Sequence, residues 1–314
     1  MQTVLVAGGA GFIGSHLCDR LLKEDFKVVC VDNLLTGLED NITHLKTNEN
    51  FQFLNYDITT PLTSSLKFDA VFHLASPASP NHHSPISYHA LPMETMMANT
   101  RGTLELLKLA EKNNAKFLYA STSEVYGDPL VHPQGEEYRG NVSTIGPRSI
   151  YDEAKRFGET MVAHYWRKGV DARIARIFNT YGPRMRRDDK RMIIDFINSS
   201  LHGKPITIFG DGMQTRSLCY ITDTVEGLMR LMFYPNTKTE VVNIGSNEEH
   251  TVMQYATMVK ELVGSESEII HSEGLPKDDP KQRRPDISKA KITINWEPNV
   301  NLEDGLKKTI EYFR

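Results

Sequence analysis

The chain is predicted to be an α/β protein, a doubly wound parallel sheet with a smaller C-terminal domain over its ligand edge. Three observations predict it. Short apolar, β-branched runs alternate with longer helical patterns as far as Arg176. A glycine loop leaves the first of those runs and opens the first helix. Beyond Arg176 the alternation breaks, as it does where a second domain begins.

Strands are expected at Thr3–Ala7, Lys27–Val31, Phe51–Asn55, Ala70–Leu74, Lys116–Ala120 and Ala172–Arg176, each leaving through polar or glycine-bearing residues. Helices are expected at Ile13–Lys23, Met93–Lys112 and Tyr151–Arg167. In the second of these, Met97, Leu104, Leu107 and Ala110 recur at three- and four-residue spacings, which marks a core-facing stripe. The later part reads as a helix at Ile193–His202, a strand at Ile206–Phe209, a turn at 210–212, a helix near Thr222–Phe233 and a strand at Glu240–Ile244. A helix from Met253 to Val263, a Pro-rich link and an amphipathic helix at Leu302–Phe313 complete it. The expected division is 1–177 for the first domain, with 217–246 returning to it, and 178–216 plus 247–314 for the second.

Composition narrows the function. The 314 residues are 39% hydrophobic and 24% charged, and no apolar run approaches the roughly 20 residues of a bilayer span. A net charge of −4 gives no overall attraction to nucleic acid or to an anionic membrane. An anionic ligand therefore needs a local basic pocket. Three cysteines (Cys18, Cys30, Cys219) without CxxC spacing argue against a disulfide framework and a thiolate zinc site, so a reducing, cytoplasmic location is expected. Met1 to Ala7 run straight into the glycine loop, so the N-terminus is expected to belong to the fold.

The loop Gly8-Gly9-Ala10-Gly11-Phe12-Ile13-Gly14 stands between a strand and a helix. Glycines there let the backbone turn tightly and approach a pyrophosphate, while the helix N-terminus supplies N–H donors and partial positive charge. This makes the domain Rossmann-type. Asp32 ends the next strand, placed to accept from both adenosine ribose hydroxyls and to repel a 2′-phosphate, so NAD is expected over NADP. Asp57 is a weaker candidate for the adenine amino group, since Asp also starts turns.

Tyr151-Asp152-Glu153-Ala154-Lys155 places a phenol and an ammonium on one helix face. A Lys⁺ and a nicotinamide cation beside the phenol are expected to lower its pKa from about 10, making Tyr151 a base for an alcohol. Ser121-Thr122-Ser123-Glu124 ends the fifth strand on the usual ligand side. There, Thr122 or Ser123 is positioned to hold the alcohol oxygen, and Glu124 to exchange a proton or meet the sugar ring.

His73-Leu74-Ala75-Ser76-Pro77-Ala78-Ser79-Pro80, Thr122-Ser123-Glu124-Val125-Tyr126-Gly127, Tyr151-Asp152-Glu153, Arg176-Ile177-Phe178-Asn179-Thr180-Tyr181-Gly182-Pro183-Arg184-Met185, Gln214-Thr215-Arg216 and Arg283-Arg284-Pro285-Asp286 carry a resemblance. Through them the chain resembles the extended short-chain dehydrogenase/reductases, and among these the UDP-glucuronate decarboxylase (UDP-xylose synthase) family, over almost its whole length. The resemblance implies a catalytic group of Thr122, Ser123, Glu124, Tyr151 and Lys155, with Arg283 near the substrate's carboxylate or phosphates. It implies that Pro77, Asn179, Arg191, Phe209, Gln214 and Arg216, with Arg283, hold a UDP-sugar. Around NAD it implies Gly8, Gly11, Phe12, Ile13, Gly14, Asp32, Asn33, Thr36, Gly37, Asp57, Ile58, Leu74, Ala75, Ser76, Thr100, Tyr151 and Lys155.

The implied reaction is decarboxylation of UDP-glucuronate to UDP-xylose through a 4-keto intermediate by a homodimer paired through the helices near 93–112 and 151–167. The alternatives are a nucleotide-sugar 4-epimerase and a non-catalytic NAD-binding regulator. Arg139, Ser143-Thr144, Ile150 and Ala154 depart from the family pattern, as does the loop at 81–89. His82, His83 and His89 stand without nearby carboxylates or cysteines in sequence and are expected in a solvated loop, with no metal. For Arg186 and Arg187 in the basic run, a solvated loop and a ligand-facing one are equally open.

Overall fold

The computed structural model describes residues 1–62, 66–272, 274 and 279–314. Residues 275–278 of the Pro-rich link lie outside the described residues.

The first half runs β1 (Thr3–Ala7), α1 (Phe12–Lys23), β2 (Lys27–Asp32), β3 (Phe51–Asn55), β4 (Ala70–His73), α2 (Pro92–Met97), α3 (Thr103–Asn113), β5 (Lys116–Thr122), α4 (Ser149–Arg167) and β6 (Ala172–Ile177). All six expected strands are present, and β5 extends two residues further than expected, so Ser121 and Thr122 are strand residues. Strand alternation builds two core layers. Val4 and Val6 face one side with Leu17, Leu21 and Phe72, and Leu5 and Ala7 face the other with Leu107, Val162 and Ile174.

A π-helical turn at Ala98–Gly102 joins α2 to α3. The expected apolar stripe holds only in α3, where Leu107 and Ala110 are fully buried. Further back the buried stripe is polar, formed by Thr95, Asn99 and Thr103. Their side chains donate to carbonyls four residues earlier, at 2.7 to 2.8 Å, which competes with the helical ladder at the π turn.

The second half runs β7 (Thr180–Tyr181), α5 (Met192–Leu201), β8 (Ile206–Phe209), β9 (Thr215–Ser217), β10 (Cys219–Tyr220), α6 (Ile221–Phe233), β11 (Val241–Ile244), β12 (Glu249–Thr251), α7 (Val252–Val263), β13 (Ile269–Ser272), β14 (Gln282–Arg283), α8 (Ser288–Ile294) and α9 (Leu302–Phe313). The seven-stranded sheet has the order β11-β6-β5-β4-β1-β2-β3, parallel throughout. Three small sheets, β10-β7, β12-β9-β14 and β13-β8, stand apart from it. The two- to four-residue strands β7, β9, β10, β12, β13 and β14 were not expected, because so few residues carry no readable period. Among the described residues, no helix is long and apolar enough to cross a membrane.

Candidate active site

The C-terminal ends of β1, β4, β5 and β6 open into a cavity of about 1280 Å³ that the small sheets close from the other side. At its floor Gly8 turns the chain with φ +81°, and a Cβ there would lie 2.6 Å from the Ala75 amide nitrogen. A Cβ on Gly14 would lie 2.1 Å from the Gly8 carbonyl oxygen. Gly11, at the N-cap of α1, offers no side-chain cap, and no acidic residue stands in the first turn. The free N–H groups and positive end of α1 therefore meet the cavity where Gly8, Gly11, Phe12, Ile13 and Gly14 line it. Asp32 stands beside the loop but off the cavity lining, 8% exposed, accepting from Ala10 N at 3.0 Å and Leu34 N at 2.9 Å. Burial raises its carboxyl and those two hydrogen bonds oppose the rise. A side-chain-free anion cradle followed by a carboxylate fits a dinucleotide.

At the centre, α4 brings Tyr151 and Lys155 onto one buried face. Lys155 Nζ donates to Ala120 O at 2.7 Å and lies 5.6 Å from the Tyr151 ring centroid. The expected lowering of Tyr151 belongs to a site holding both Lys155 and a nicotinamide cation; in the protein alone the shift runs the other way. Tyr151 is 6% exposed, and burial drives its phenol up, opposed by a hydrogen bond from Thr122 and the charge of Arg191. Burial likewise brings Lys155 down to about 7. Tyr88 lies against Tyr151, centroids 5.1 Å apart and planes 7° from parallel.

Thr122 caps the 3₁₀ turn at Ser123–Tyr126, its Oγ1 accepting from Glu124 N at 3.2 Å. Glu124 accepts from Arg148 Nη2 at 2.6 Å and pairs with Arg283. Arg283 also donates to Ser123 Oγ at 3.2 Å and to Gly127 O at 2.6 Å. Arg148 and Arg216 both reach Asp279, at 3.2 and 2.8 Å. The arginines hold Glu124 down at about 2, against burial. Of the two roles expected for Glu124, proton exchange and contact with the sugar ring, a carboxylate held ionised between guanidinium groups fits the second. Ser123 Oγ accepts from Arg283, while Thr122 is the hydroxyl that meets Tyr151.

Asn179, Arg191, Phe209, Gln214 and Arg216 line the cavity with Arg283, as do Thr36, Leu74 and Ser76. Gln214 donates to Phe209 O at 3.0 Å. Other expected positions lie off the lining. Asn33 is exposed and closes a turn on Leu35 N. Asp57 is exposed too, accepting from Thr59 N at 2.8 Å, which is the turn role. Thr100 donates to Met96 O. Ile58 packs near Gly102, and Pro77 is buried with its carbonyl held by Ser76. Gly37 and Ala75 touch the cradle from behind: a Cβ on Gly37 would meet both Asp32 oxygens at 2.9 Å.

His82 and His83 are exposed, as expected of a solvated loop, and His89 is half-buried; all three also stand on the cavity wall, on a loop whose Ser79, Asn81 and Ser84 donate to the carbonyls of Asp189, Lys190 and Asp188. Among the described residues, no group of three or more His, Cys, Asp or Glu is placed to hold a metal ion. Arg186 lines the cavity and donates to Thr36 O at 3.3 Å, while Arg187 grips Phe313 O of α9 at 2.5 Å. Sequence reasoning missed Tyr88, Arg148 and Asp279 as site residues. Arg148 lies three residues before Tyr151 and was open to discovery on that ground, whereas nothing local marks Tyr88 or Asp279.

The family model described as "NAD dependent epimerase/dehydratase family" matches residues 4–245. Over 315 residues, 100% of this chain and 72% of the relative, the sequence is 49% identical to UDP-glucuronic acid decarboxylase 1 of Xenopus tropicalis. UDP-glucuronic acid decarboxylase 6 of Arabidopsis thaliana is 50% identical over 99% of this chain and 88% of its own. Among solved structures, UDP-glucuronic acid 4-epimerase from Bacillus cereus, in complex with UDP-glucuronic acid and NAD, superposes with TM-score 0.85 at 32% identity, covering 99% of this chain and 98% of that one.

Proposed function

The chain belongs to the NAD dependent epimerase/dehydratase family, and from that premise we propose that it is a UDP-glucuronate decarboxylase, making UDP-xylose through a 4-keto intermediate with NAD. One observation carries the choice of an acidic sugar. Arg148, Arg216 and Arg283 share only Glu124 and Asp279 as ion-pair partners among the described residues, so the cluster beside Thr122 and Tyr151 holds a spare positive charge. An anionic sugar group supplies the missing partner.

When bound in the glycine cradle, NAD supplies the acceptor that oxidises C4 and the donor that reduces it again. Tyr151 takes the C4 hydroxyl proton as that carbon is oxidised, and Thr122 orients the phenol. The ketone so formed is β to the C6 carboxylate. The electrons of the breaking carbon–carbon bond pass into an enolate, whose C4 oxygen Thr122 and protonated Tyr151 stabilise by hydrogen bonds. Protonation of C5 follows, and Tyr151 returns its proton to the C4 oxygen. In this reading Arg148, Arg216 and Arg283 hold the substrate's anionic groups, and Gln214 and Phe209 line the cavity with them, Phe209 offering a face for uracil.

Two finer assignments belong to the same reading. The three free cysteines, all buried, support a cytoplasmic location. Pairing of two copies through α2–α3 and α4 is supported by Met93 and Phe157, both more than half exposed on those helices. The second reading, a UDP-glucuronate 4-epimerase, is favoured by the Bacillus cereus likeness. Incubation with NAD and UDP-glucuronate labelled with ¹³C at C6 separates them. Labelled CO₂ with UDP-xylose is the expected outcome; retention of the label with inversion at C4 overturns the decarboxylase reading.

A further inference from the structure

We propose that Asp152 and the side cavity it borders are the intake for the proton that decarboxylation consumes. The inference rests on the decarboxylase reading. In that reaction the C5–C6 bond breaks, CO₂ leaves, the electron pair passes through the enolate to C5, and one proton from solvent forms the new C5–H bond. Tyr151 cannot supply that proton, because the one it takes from the C4 hydroxyl is the one it gives back. Glu124, ionised between Arg148 and Arg283, has none to give.

Asp152 follows Tyr151 on α4, is 4% exposed, and its Oδ1 has no hydrogen-bond partner among the described residues. It borders a second cavity of about 450 Å³, whose wall includes Asn141, Ser143 and Ser149. The space is polar and wide enough for several waters. Arg148 and Asp279 line both cavities and form the partition between them. The charged and titratable groups facing Asp152 are Glu124 after β5, Arg148 before α4, Arg283 on β14, Tyr151 and Glu153 on its own helix, and Tyr88. Across the side cavity stand Asp128, Asp279 and Lys281. Burial and the charge of Glu124 raise the Asp152 carboxyl to about 8, against the two arginines, so it carries a proton at neutral pH.

The test compares wild type, Asp152→Asn and Asp152→Glu with ¹³C-labelled UDP-glucuronate between pH 6 and 9.5, with UDP affinity measured by calorimetry. Asp152→Asn is expected to bind UDP normally and keep KM, to lose about tenfold or more in kcat, and to lose the alkaline decline near pH 8; Asp152→Glu restores both. Wild-type kcat and pH profile in Asp152→Asn overturn the intake, as does a loss of kcat with the profile unmoved and no rescue by Glu. Should Asp152→Asn fail to fold, Ser143→Trp, filling the side cavity from its exposed rim, is expected to lower kcat at constant KM, and unchanged kcat overturns the proposal. A wild-type protein that releases no labelled CO₂ removes the decarboxylase reading itself. Labelled CO₂ with an indifferent Asp152 removes only the intake.

Discussion

Tyr151 and Glu124 line one cavity from different elements, and burial raises both groups; their neighbours decide which one stays neutral. Around the phenol burial finds only Thr122 and Arg191 in opposition, so the neutral form is favoured until ligands arrive. Around the carboxylate, Arg148 and Arg283 outweigh it. Tyr151→Phe is expected to lower decarboxylation by about 10²- to 10⁴-fold while UDP affinity, read by calorimetry, stays within error. Glu124 titrates lower in the folded chain than its usual 4.5, so its stabilisation is complete above the unfolded value and is lost as pH falls from there toward about 2. Glu124→Gln is therefore expected to flatten the acid limb of a urea-unfolding series between pH 7 and 3. At pH 7 it should cost about 3 kcal/mol, because two buried guanidinium groups lose a partner. Tyr151, Lys155 and the pair Thr122 or Ser123 were readable as candidates from motif and spacing. Their charge states were not, because desolvation depends on neighbours that arrive from β14 and from the loops at 76–91 and 184–191.

The long elements were legible and the short ones were not. α1, α4, α7 and α9 were found within about two residues at either end, because an amphipathic period repeats several times in each. From α2 through the π turn into the start of α3 the period misleads, since the buried face there is Thr95, Asn99 and Thr103, polar side chains satisfied by carbonyls one turn earlier. The β1–α1 turn is the element most exposed to a single change. Gly14→Ala would press a Cβ into the Gly8 carbonyl at 2.1 Å, an overpacking strain of about 1–3 kcal/mol. Its expected effect is a loss of roughly tenfold or more in NAD affinity with UDP affinity kept. Equal loss of both, measured by titration calorimetry, would show that the turn supports the whole cavity.

Across the molecule, Asn243 on β11 ties the sheet to the arm that carries Arg283. It accepts from Tyr126 at 2.8 Å and donates to Gln134 O at 3.0 Å and Asp286 O at 3.2 Å, fully buried. Gln134 in turn holds Arg284 and Asp286 through backbone hydrogen bonds at 2.9 and 2.8 Å. Asn243→Ala leaves several buried groups unpaired, so a loss of about 3 kcal/mol and a Tm lower by several degrees are expected by calorimetry. Affinity for UDP-glucuronate should fall while NAD affinity holds, because the arm, not the glycine cradle, loses its anchor.

From residue order alone came the parallel sheet, the nucleotide cradle and the Tyr–Lys pair, since each is written in local period or spacing within a single helix, strand or turn. Folding in three dimensions decided which arginines meet Glu124, which loops roof the cavity, and which carboxyls are desolvated. Asp279 and Arg283 lie more than 120 residues from Tyr151 and Glu124 along the chain. Ion pairing and desolvation depend on distance through space, so no local pattern encodes them.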